Sequence, residues 1–165
     1  MKKTNSQSLR WLFLSISDNN LLTSMRILIA TALLGLCLSS DALAQIAVIA
    51  NKSAPVDTIG RNELLDFYSG DVRKWSDDQP VVAFDLKPKE EVREVFYKYL
   101  GKSSSRMKSI WLRRVLSGEG QPPEALRTEE EVVKKVAETA GAIGFVSAAK
   151  LNDKVKVLLL VRTPD

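Results

Sequence analysis

Four residues hold the most suggestive chemistry in this chain of 165 residues. Ser53 lies in a loop after a short apolar run, Lys87 and Lys89 flank Pro88 where a helix is about to begin, and Arg93 falls one turn into that helix. Cations at a helix start oppose the positive end of its dipole, so their presence points to an anion as partner. Ser53, Lys87, Lys89 and Arg93 are therefore the candidate ligand-binding set. The plain alternative is four solvated side chains, with Arg93 pairing Glu90 or neighbours of Glu94 on an exposed face.

Most other chemistry is excluded by composition. There is no His, and the one Cys, Cys37, lies in a segment expected to be removed. Disulfides, Cys and His zinc sites, Ser-His triads and Cys-His pairs are then impossible in the mature protein. No glycine loop of the P-loop or dinucleotide kind occurs. No catalytic residue, metal ligand or cofactor is expected, and an enzyme is disfavoured. The acidic clusters have structural explanations: Asp77-Asp78 precedes Gln79-Pro80 in a turn, and Glu129-Glu130-Glu131 fills a helix's first turn, where negative charge is stabilising. Arg106, Lys108, Arg113 and Arg114 fall on one helix beside Trp111, either as a solvated face or against an acidic partner.

The segment expected to be lost is Met25 to Ala44. Arg26 supplies a positive start, Ile27 to Leu38 an apolar run, and Ala42-Leu43-Ala44 a small-residue site, which together read as a secretory signal peptide cut after Ala44. A membrane span needs about 20 apolar residues, and this run meets Ser39, Ser40 and Asp41 first. Leu36 before Cys37 speaks against a lipoprotein. Residues 1–24 read either as an upstream segment outside the translated protein or as a long n-region. A periplasmic product with no remaining membrane span follows. Removing four basic and two acidic leader residues from 24 and 20 leaves 20 and 18, a net charge of +2. Bases and acids are interleaved, so nothing calls for nucleic acid.

The elements that must position the candidate set are legible in the remaining 121 residues, enough for one domain. Ile46 to Ala50 is a continuous apolar run suited to a strand buried on both faces. A helix follows, with Gly60 as a possible N-cap and Gly70 to stop it, then an irregular stretch holding Trp75. Pro80 to Phe84 reads as a strand. Pro88 suits the first turn of the next helix, whose Val92, Val95, Phe96, Tyr99 and Leu100 recur at helical spacing. Ser103 to Ser105 offer N-caps for another helix, with Met107, Ile110, Trp111 and Val115 on one face. After a Gly and Pro loop over 118–123, Thr128 and Glu131 form a capping box ahead of a helix ending near Gly141. Ala142 to Val146 and Val155 to Val161 close the chain as strands. Strands joined by crossover helices imply an α/β domain with a mostly parallel sheet.

Three of these segments resemble the periplasmic phosphate-binding proteins of ABC transporters: Glu63 to Gly70 running on to Trp75, Phe96 to Leu100, and Gly141-Ala142-Ile143-Gly144-Phe145-Val146. The resemblance covers most of Ile46 to Leu160 and is greatest to short members. It implies a single lobe of a type II periplasmic-binding-protein-like fold over 45–165. It also implies a solute-binding-like protein for phosphate or another small oxyanion, with a transporter or other envelope protein as partner. Anchored on Phe96, the family's Ser-Gly-Thr anion ligands fall on Glu90, Glu91 and Val92, and its Arg on Leu86. Neither element is kept, and carboxylates there would repel phosphate. The alternative reading is a sensor-docking or envelope interaction module that kept the fold and lost the ligand. Oligomeric state is not legible.

Overall fold

The computed structural model describes residues 45–88 and 90–162; the expected leader, the segment before it and Lys89 lie outside these. Ile46 to Ala50 are wholly shielded from solvent, and they form β1 (Ile46–Ala50), with β4 (Ala142–Ser147) on one side and β5 (Lys156–Val161) on the other. The sheet continues from β4 to β2 (Val82–Leu86) and ends in β3 (Glu124–Leu126). Pairing is parallel for β3–β2 and β2–β4, and antiparallel for β4–β1 and β1–β5. Four of the five strands therefore point the same way and β1 alone is reversed, as an α/β domain with a mostly parallel sheet.

The reversal has a local cause. By way of α1 (Arg61–Ser69) and the irregular residues after it, the chain returns to the end of the sheet at which β1 stopped. The end of β1 and the start of β2 thus lie at the same end of the sheet, where Asn51 N–H donates to Ala142 O and Val82 N–H to Gly141 O. A strand that starts where its predecessor stopped has to run the other way.

Alternation along β4 assigns the layers. A Cβ added at Gly144 would lie 2.7 Å from Val132 Cγ1, so this side of the sheet is covered by α4 (Glu129–Glu138). The next residue, Phe145, stacks on Phe96 of α2 (Glu91–Tyr99) at 3.9 Å and 9° and tilts against Tyr68 of α1. Helices thus flank both faces. Burying each such ring contributes about 1.5–3 kcal/mol.

The local signals behave as expected except in the capping box, where the Glu131 carboxylate accepts from Arg127 N–H in place of Thr128 N–H. Gly60 precedes α1, and Gly70, at φ +78°, stops it. Ser103 Oγ accepts from Arg106 N at the start of α3 (Ser104–Leu116), and Thr128 Oγ1 accepts from Glu131 N at the start of α4. Two boundaries and one element differ, the first boundary being that of β2, which begins and ends two residues beyond the expected Pro80 to Phe84. Pro88 lies in a turn rather than in the first turn of α2, because Lys87 N–H still reaches Leu126 O across the β2–β3 pair and the helix starts only at Glu91. β3 was not expected, since three residues leave no periodicity to detect.

The resemblance motifs turn out to form one joint. Trp75 packs edge-on against Phe67 at 4.9 Å and its indole N–H donates to Gly141 O at 2.9 Å. Phe67 and Trp75 are buried core, and Gly141 turns α4 into β4 at φ +71°.

Candidate functional site

Asp85 is the penultimate residue of β2, and its carboxylate ends up inside the fold at 6% exposure. A buried charge needs a partner and further hydrogen bonds. Arg93 and Tyr97 supply them, because four residues apart on α2 they share one face. Arg93 Nε reaches both Asp85 oxygens at 3.1 Å, and its Nη2 reaches Oδ2 at 3.0 Å. Tyr97 Oη donates to Oδ2 at 2.8 Å, and Leu86 N–H to Oδ1 at 2.8 Å. The remaining arm of the guanidinium, Nη1, donates to Ser104 Oγ at 2.9 Å, and Ser104 in turn donates to Glu94. The Tyr97 ring lies 4.6 Å from the guanidinium carbon.

Electrostatics hold Tyr97 and Arg93 in their protonated forms. Burial and then the negative Asp85 raise the Tyr97 pKa, so the phenol stays protonated as a donor. For Arg93, burial lowers the pKa, but the hydrogen bond and charge of Asp85 outweigh it and the net shift is upward. The result is a fixed, neutral pair.

This network floors a groove of about 550 Å³ between α3 and the Pro122-Pro123 segment. Its walls are mostly apolar and include Leu86, Met107, Trp111 and Leu112. A second, charged groove of about 620 Å³ lies beside β3 and α4, where Lys87, Arg127, Lys134 and Lys135 face Glu124, Glu131 and Glu138.

The expected anion set is divided between two ends of the sheet. Ser53 is exposed; its hydroxyl oxygen accepts from Gly141 N–H at 3.4 Å, beside the start of β2. Lys87 follows the other end of that strand, five residues or about 16 Å away. Arg93 is near Lys87 in sequence, but its side chain is only 11% exposed and turns inward to Asp85. It is neither solvated nor free. Sequence reasoning missed Asp85, Tyr97 and Ser104. The available signal was a lone acid in the apolar run Val81 to Leu86, followed by Arg and Tyr at helical spacing.

The acidic clusters are engaged locally. Asp77 Oδ1 accepts from Gln79 N–H, Glu130 pairs with Lys150 at 2.6 Å, and Glu131 accepts from Arg127 N–H. Among the described residues no group of His, Cys, Asp and Glu could hold a metal ion, and no helix is long and apolar enough to cross a membrane.

The family described as PBP superfamily domain matches residues 42–161. No curated protein matches the chain. Among solved structures, a protein from Clostridium perfringens described as a phosphate ABC transporter substrate-binding protein with bound phosphate is 20% identical, at a TM-score of 0.58, over 70% of this chain and 45% of that one. An ABC-type phosphate transport receptor from Vibrio cholerae is 20% identical, at a TM-score of 0.56, over 70% and 46%. PstS from Borrelia burgdorferi is 12% identical, at 0.54, over 70% and 47%. At these identities the likeness is one of fold, and the chain spans less than half the length of each structure.

Proposed function

The chain belongs to the PBP superfamily, and on that premise we propose that it is an exported, single-lobe, solute-binding-like domain that acts by docking on an envelope protein rather than by carrying phosphate. The observation that carries this reading is the closed Asp85–Arg93–Tyr97 network. It stands at the strand end and helix start onto which the family resemblance lays the anion ligands. There a carboxylate of the chain itself takes the guanidinium that an oxyanion would use. Binding, not catalysis, is the proposed role. Export is supported by the position of β1, which begins at Ile46, just past the expected cut after Ala44.

Thermal unfolding with phosphate, sulfate and molybdate tests the reading. A ligand at 100 times its Kd stabilises a fold by about 2.7 kcal/mol, so an anion carrier would show a clear rise in Tm. The expected result is no response from the wild-type chain and a gain of response in Asp85→Ala, where Arg93 is released. A wild-type rise with phosphate would overturn the proposal.

One observation favours a second reading, an oxyanion-binding protein for ABC transport. Lys87, Arg127, Lys134 and Lys135 line the charged groove, and none forms an ion pair among the described residues. Glu124, Glu131 and Glu138 offset all but one of those charges. If the wild-type chain does respond, Lys87→Ala would abolish the response under this reading.

A further inference from the structure

Helix α3 gives the fold little of its surface. Met107 is its one buried side chain, and Trp111 fixes it to α1 by donating to Tyr68 O at 2.9 Å and lying flush against Gly70, where an added Cβ would come within 2.6 Å of the ring. Ile110 is half-buried against the core, whereas the leucines are left outside: Leu112 is 58% and Leu116 79% exposed. With Val115 they form an i, i+3, i+4 ridge beside the groove that runs between α3 and Pro122-Pro123.

The charged residues of this helix have one sign. α3 contains Arg106, Lys108, Arg113 and Arg114 and no acid. Arg114 is paired with Asp71 and Glu119, while the other three have no ion pair among the described residues. Each cation that could have been neutralised by an i, i+4 acid was left without one.

We propose that this groove is the docking site of an amphipathic helix from a protein partner, with leucine-type side chains at i, i+3 and i+4 flanked by Asp and Glu. The proposal rests on the docking reading above and names the partner's chemistry. Helix-in-groove recognition uses this spacing of anchors, and complementary charge sets orientation and association rate. A second copy of the chain is disfavoured, because two α3 faces would bring like charges together. A bilayer is disfavoured because the apolar surface between α3 and Pro122-Pro123 is concave, and a flat membrane does not fill a furrow.

The test uses the purified full chain and two labelled synthetic peptides with identical Leu spacing, one with Glu and one with Lys at the remaining positions, read by fluorescence anisotropy. Phosphatidylglycerol vesicles are the third probe. The Glu peptide is expected to bind about tenfold or more tightly than the Lys peptide. Leu112→Glu and the pair Arg106→Glu with Lys108→Glu are each expected to weaken binding by about tenfold, with Tm unchanged because all three side chains are exposed. Equal affinity for both peptides, binding to neither, or vesicle binding in place of peptide binding would overturn the proposal. Photocrosslinkers at Leu116 and at Lys154 separate the two levels. An envelope protein trapped from Lys154 but not from Leu116, with no peptide binding, removes this site and leaves docking standing. Stabilisation of the wild-type chain by phosphate removes the docking reading itself.

Discussion

Asp85 and Arg93 satisfy each other inside the fold, and removing one does not remove the other's need for a partner. Asp85→Ala leaves a buried guanidinium with Ser104, the Tyr97 ring and the more distant Glu94 carboxylate at 3.7 Å and is expected to cost about 3–5 kcal/mol, measured by urea unfolding. A cost below about 1 kcal/mol would mean that the pair is not closed in solution. Tyr97 adds a pH signature. Its pKa in the fold is raised above the ordinary value of about 10, so the unfolded chain releases the proton first. Its contribution is fully present below about pH 10 and is lost as pH rises beyond it. Tyr68, buried beneath Phe96 and Phe145 and donating to Phe84 O, is shifted the same way. Tyr97→Phe is expected to reduce the slope of stability against pH above 10 by up to about 1.4 kcal/mol per pH unit. An unchanged slope would show that the phenol is not held as a buried donor.

At the level of elements, a contact sensitive to volume lies between α4 and β4. Gly144 lets Val132 and Val136 come down onto the sheet, and a Cβ there would stand 2.7 Å and 3.0 Å from their methyl groups. Gly144→Ala is expected to destabilise by about 1–3 kcal/mol through overpacking. The neighbouring cap offers a contrast, since Thr128→Ala removes one hydrogen bond to Glu131 N and is expected to cost only about 1 kcal/mol. Denaturation midpoints of the two variants check the order, and equal or reversed costs would mean that α4 sits less closely on β4 than described. Gly141 cannot be treated as a mere turn residue either. It combines a positive φ with a Cβ position 2.3 Å from Pro80 O, a backbone atom that has nowhere to go.

The molecule as a whole is expected to reach the periplasm without residues 1–44. N-terminal sequencing of periplasmic protein should begin at Gln45, and a thiol reagent should label a cytoplasmic precursor through Cys37 but not the mature chain. A periplasmic product that still reacts would place the cut elsewhere. By itself the sequence determined the α/β class, eight of the nine principal elements among the described residues to within a few residues, the caps of three helices and the exclusion of thiol and imidazole chemistry from the expected mature chain. Those properties rest on periodicities and caps that act within a few residues, so they are written where they act. It also brought Arg93 to attention, but as a ligand for an outside anion. Only the tertiary structure decided that Arg93 is held by Asp85, eight residues back on a different element, and that Ser53 and Lys87 lie at opposite ends of the sheet. Spacing along the chain states which side chains share a helix face. It does not state which way a strand runs, and here the return path of α1 reversed β1 and so separated the residues that the sequence had placed together.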